Sequence, residues 1–77
     1  MHLMLKSNNN ILLGECKYWK EPVGINVLTA LENKAQLVDW NKDRRTVWFA
    51  VFSASGFTTD LLALAKERKD ILLFDMS

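Results

Sequence analysis

The chain has 77 residues, a formal net charge of +1 and a single cysteine. That length allows one domain, here residues 1–77, and one thiol allows no internal disulfide framework. A near-neutral balance gives no global pull toward polyanions, and no apolar stretch is long enough to span a bilayer.

Residues 2–6 read as a short strand and 7–10 (Ser-Asn-Asn-Asn) as a turn, because Asn tolerates positive φ and closes Asx-type bonds. Residues 11–19 (Ile-Leu-Leu-Gly-Glu-Cys-Lys-Tyr-Trp) read as a second, largely buried strand, making a hairpin with the first. Gly14 within it suggests a bulge or close approach. A two- or four-residue turn pairs Lys6 with Ile11, Met4 with Leu13 and His2 with Glu15. A three-residue turn brings Leu3 opposite Glu15 instead. The opening residues lack the basic start and long apolar core of a signal peptide.

After the loop Lys20-Glu21-Pro22-Val23-Gly24 the period changes. Leu28, Leu31, Ala35 and Val38 form a helical stripe over about 26–38, with Asn26 as N-cap and Lys34 off the stripe. A charged connection covers 39–45. Residues 46–53 (Thr-Val-Trp-Phe-Ala-Val-Phe-Ser) are apolar on both faces, as expected of a central strand with helices on either side. Ala54-Ser55-Gly56 is a turn. Thr58 caps a second helix running to about Lys69, with Phe57 and Leu62 as a staple. Residues 71–75 form the last strand. The expectation is an α/β fold in the order ββαβαβ: a mixed four-stranded sheet flanked by helices, closing on a right-handed crossover.

In a strand, side chains alternate faces, so Glu15 and Lys17 share one face and Cys16 points to the other. A carboxylate and an ammonium so placed can hold a divalent metal and steady an attacking hydroxide. They can equally be a same-face ion pair on a half-solvated sheet, worth about 0.2–1 kcal/mol. His2 is either an additional ligand or a residue of a frayed terminus. Cys16 reads as core. Tyr18, Trp19, Lys20, Lys42, Arg44 and Arg45 can form a surface that stacks bases and contacts phosphates, or they are core aromatics beside a solvated loop.

A hairpin carrying Glu15-x-Lys17 and followed by a helix resembles the PD-(D/E)XK, restriction-endonuclease-like nucleases. More narrowly, Gly14-Glu15-Cys16-Lys17-Tyr18-Trp19, then Pro22-Val23-Gly24-Ile25, Phe52–Thr58 and Leu72–Asp75 look like the C-terminal domain of unknown function of archaeal P-loop ATPases. The resemblance runs from residue 2 to nearly the end. It implies a truncated restriction-endonuclease-like core with Glu15 and Lys17 as catalytic residues or vestiges of them. It also implies a Mg²⁺ site on Glu15, with His2 standing where the superfamily carries a metal-binding Asp. The usual leading helix is missing, and so is any Gly-x-x-x-x-Gly-Lys-Ser/Thr run of an ATPase module.

One carboxylate with a histidine makes a poor magnesium cage, since the ion prefers oxygen ligands in an octahedron. The leading expectation is therefore a nuclease-like module with an incomplete metal site and a binding or assembly role. One alternative is a Mg²⁺-dependent DNA nuclease using Glu15 and Lys17, with Lys20, Lys42, Arg44 and Arg45 on the nucleic acid. Another is a fragment of a larger archaeal ATPase. The apolar fraction of 49% and the three Trp are heavy for so small a domain. They point to a homodimer with Trp19, Trp40 or Phe57 near its interface. A lone thiol suits the cytoplasm.

Overall fold

The computed structural model describes residues 2–41 and 43–77, and leaves the side chain of His2 undescribed. Its elements run β1 (His2–Ser7), β2 (Asn10–Lys17), α1 (Ile25–Leu37), β3 (Thr46–Ser53), α2 (Thr59–Glu67) and β4 (Ile71–Asp75). The sheet order is β1-β2-β3-β4, with β1 antiparallel to β2 and the other two pairs parallel. This is the expected mixed α/β sheet.

The hairpin turns through Asn8 and Asn9, with Asn8 at φ 53°. A two-residue turn needs the left-handed region, which Asn visits at little cost. It sets the register expected for that turn: Lys6 faces Ile11, Met4 faces Leu13 and His2 faces Glu15. Gly14 makes no bulge. It stays in register opposite Leu3, whose Cγ would lie 2.8 Å from a Cβ built there. The glycine is required by the close approach of that leucine.

Capping differs between the helices. Thr58 caps α2 as expected, its hydroxyl accepting from the Leu61 amide at 3.4 Å. Leu61, rather than Leu62, takes the buried place in that turn; Leu62 remains 43% exposed. Gly24, not Asn26, is the N-cap of α1 and provides no side-chain acceptor. Further on, the Arg45 guanidinium donates to the carbonyls of Ala35 (2.6 Å), Val38 (2.7 Å) and Trp40 (3.2 Å). It thus adds a charged donor to Ala35, which also accepts from the Val38 amide, and to the two carbonyls that follow the helix.

The core has one location. Val27, Leu28, Leu31 and Ala35 of α1 and Leu61 of α2 cluster with Leu13, Phe49, Val51 and Ile71. Register and alternation put those strand residues on a single face. Both helices therefore cover the same side of the sheet, and the expectation of helices on either face of β3 is corrected. The reason is handedness. Successive strands β2, β3 and β4 are laid down in one direction, so two right-handed crossovers return over the same face.

The opposite face has no helix over it. It carries Leu3 and Leu5 of β1, Leu12, Gly14 and Cys16 of β2, Trp48, Ala50 and Phe52 of β3, and Leu72 and Phe74 of β4. None of these side chains is charged. The apolar character of β3 on both sides is thus real, but only one side is covered by helices; on the other, Ala50 is buried among its neighbours while Trp48 and Phe52 stay partly exposed.

Candidate functional site

Glu15 lies on the helix-covered face, in line with Ile11 and Leu13 and beside Val51. Its relative exposure is 4%, so it is a core residue and not part of a half-solvated sheet surface. Burial of a carboxylate is costly unless charge and hydrogen bonds compensate it. Part of that compensation comes from α1: the Lys34 ammonium stands 3.7 Å from Glu15 Oε1. Val27, Leu31 and Lys34 follow one another at i, i+4 and i+7, so the lysine extends the buried row instead of lying off it. Its aliphatic stem can follow the apolar surface while its head, on a side chain 42% exposed, keeps contact with water.

Lys17 belongs to the same face one pleat further along, at the end of β2 and opposite Ser53. Its ammonium sits 4.8 Å from the centre of the Trp19 ring, a cation–π arrangement. The two sequence-predicted catalytic side chains therefore share a face, as alternation requires, but one is engaged by a helix and the other by an aromatic ring. Cys16 points away from Glu15 and Lys17, as alternation requires, but that face has no helix over it and the residue is half-buried, short of the core position expected.

The backbone of His2 pairs with Glu15, as the register predicts; its side chain lies outside the described atoms. Among the described residues, no three His, Cys, Asp or Glu side chains gather where they could hold a metal ion. A magnesium ion needs several oxygen ligands in near-octahedral array. A buried carboxylate with an ammonium 3.7 Å away does not meet that need. These residues do not fit the cation.

The basic residues expected to contact nucleic acid are not gathered. Lys20 is exposed just beyond the C-terminal end of β2, whereas Arg44 and Arg45 precede the N-terminal end of β3. These strands are parallel, so the two groups lie at opposite ends of the sheet, on the order of 25 Å apart for a strand of this length. Arg45 is committed to the end of α1. Lys42 lies outside the described residues.

At the C-terminal ends of the parallel strands, the loops leading into both helices are tied together. Val23 N–H donates to the Gly56 carbonyl and Thr58 N–H to that of Val23, at 2.9 and 3.0 Å. The Ser55 hydroxyl donates to the carbonyls of Trp19 and Glu21, and its amide donates to the hydroxyl of buried Ser53. Gly56 adopts φ +80°, which a side chain would resist. In open parallel sheets ligands commonly enter at such an end. Here the polar groups are spent on joining the two loops.

Across the base of the helix layer, Arg68 makes a two-pronged contact with Asp70 (3.1 and 2.8 Å) and reaches Glu32 of α1 at 3.1 Å. Its hydrogen bonds hold the Asp70 carboxyl below the usual carboxylate range, against the opposing effect of burial.

The fold and these contacts define a two-layer α/β domain with a buried carboxylate met by a half-exposed lysine on one side and an apolar sheet face without helices on the other. No protein-family model matches the chain, nor does any curated protein or solved structure. No helix among the described residues is long and apolar enough to cross a membrane.

Proposed function

We propose that this chain is a nuclease-like scaffold that works by binding and assembly, as a homodimer, rather than by cutting nucleic acid. The ββαβαβ order and the pairing of position 2 with Glu15 are compatible with a restriction-endonuclease-like core. The ordered segments around Glu15-Cys16-Lys17 favour kinship with the C-terminal domain of archaeal ATPases. Its single thiol suits a cytoplasmic setting. The observation that carries the reading is the burial of Glu15 beneath α1, at 4% exposure and 3.7 Å from the Lys34 ammonium. A catalytic carboxylate must reach both metal and scissile phosphate. This one is packed against its own helix.

Incubation of the purified chain with single- and double-stranded DNA in Mg²⁺ or Mn²⁺ tests the proposal. The expected result is cleavage no greater than that of Glu15→Gln and Lys17→Ala variants prepared alongside. Metal-dependent cleavage abolished in both variants would overturn it.

A further inference from the structure

We infer that the uncovered sheet face is the surface on which two copies of this chain pack against each other. The inference rests on the assembly reading above and names the surface and occupant. Leu3, Leu5, Leu72 and Phe74 remain 36, 62, 39 and 45% exposed, although they stand on strands of a four-stranded sheet. Fully free side chains of this size present roughly 200 Å² each, so with the half-buried Leu12, Cys16, Trp48 and Phe52 the open apolar area is roughly 500 Å².

That area admits a second copy. Two such faces together bury about 1,000 Å², the lower bound for a specific protein–protein interface. The surface is level as well. Leu3 folds over Gly14, and Ala50, at 3% exposure, lies beneath its neighbours, so no groove parts the Leu12–Trp48 row from the Cys16–Phe52–Phe74 row. Phe52 and Phe74 are stacked at 4.8 Å, so that aromatic row is already ordered before any partner arrives. Level sheet faces pack about 10 Å apart with strands near −30°, an arrangement open to two copies of this face.

Charge points the same way. A face without ionised side chains presents no like-charge repulsion to its own copy. Membrane adsorption, by contrast, draws on basic residues around an apolar surface, whereas Lys17 sits over Trp19, Lys6 over Trp40 and Arg45 on the end of α1, away from this face. Trp19, Trp40 and Phe57, the aromatics expected at an interface, are not on this face. Trp40 lies under Lys6 and Phe57 packs against the helix-side core.

Sedimentation equilibrium of the full chain at micromolar to about 100 μM concentration tests the inference, together with a Leu5→Lys/Phe74→Lys variant. Both sites are largely exposed, so the variant should keep its far-UV circular dichroism. Expected are a monomer–dimer equilibrium for the natural chain and self-association weakened at least ~100-fold in the variant. Should the variant not fold, Leu72→Gln alone, at a 39% exposed site, must still weaken the dimer. A natural chain that stays monomeric, or a dimer untouched by these substitutions, would overturn the inference. So would a monomer that binds only phospholipid vesicles or an added amphipathic peptide through this face. None of those results bears on the DNA assay, whose failure would sink the non-catalytic reading separately.

Discussion

Replacing Lys34 by Met should cost more stability than replacing the buried acid it contacts by Leu. At 3.7 Å two unit charges attract by about 4–5 kcal/mol at an effective dielectric near 20. The lysine side chain is 42% exposed, so water screens the pair and a realistic share is about 1–2 kcal/mol. Lys34→Met removes that attraction while the carboxylate keeps its 4% exposure, so less of its burial is compensated. Glu15→Leu removes the desolvation burden along with the attraction and adds apolar packing, which is commonly neutral or stabilising. For a domain of this size, a loss of about 1–2 kcal/mol lowers Tm by roughly 5–15 °C. Thermal melts and urea titrations of the natural chain, both single variants and the double variant close the cycle. Lys34→Met should melt lower, Glu15→Leu within a few degrees of the natural protein or above it, and the double variant near Glu15→Leu. A more damaging Glu15→Leu, or a cycle without coupling, would contradict this assignment.

Arg45→Ala should lose about 1–3 kcal/mol by urea denaturation, because it strips the carbonyls of Ala35, Val38 and Trp40 of a shared charged donor; Arg45→Lys, with no fork, should recover only part. Gly56→Ala should lower Tm by roughly 5–10 °C, since φ +80° strains any residue with a Cβ. Arg68→Ala should destabilise the chain at neutral pH by about 0.5–1 kcal/mol. The Asp70 carboxyl is depressed by Arg68, so the contact contributes fully above the ordinary carboxylate range and is lost as pH falls through the lower, folded value. The gap between natural chain and variant, followed by urea titrations at descending pH, should therefore stay constant near neutrality and close in acid. Widening on acidification would contradict the assignment.

Much of the architecture was legible in local pattern. The run Thr46–Ser53 and the segment Ile71–Asp75 are strands with the bounds their composition suggests, and Thr58 caps the helix it precedes. The Asn-rich turn carried the register, because a two-residue loop demands a left-handed residue and Asn8 supplies it. What escaped was tertiary. A strand apolar on both faces can be covered on both or left bare on one, and only the direction of the crossovers decides between them. The fate of Glu15 was hidden for a related reason. Alternation places it on the same face as Lys17, but cannot say that α1 will lie over it. The signal that could have shown this is Lys34, seven residues after Val27 and three after Leu31, in the helical row that must face the sheet. The separation of Lys20 from Arg44 and Arg45 likewise follows only once β2 and β3 are known to be parallel.

Cys16 reports on the bare sheet directly, because its thiol belongs to that face, in the row of Phe52 and Phe74. The rate at which a small neutral disulfide reagent modifies it should be followed against protein concentration, for the natural chain and for Leu5→Lys/Phe74→Lys. If two copies cover this face, the natural chain should react progressively more slowly as it is concentrated, while the variant keeps its dilute-solution rate throughout. Reaction of the natural chain at one rate from dilute to concentrated solution would mean that the face stays open to water, and that assembly, if any, occurs elsewhere.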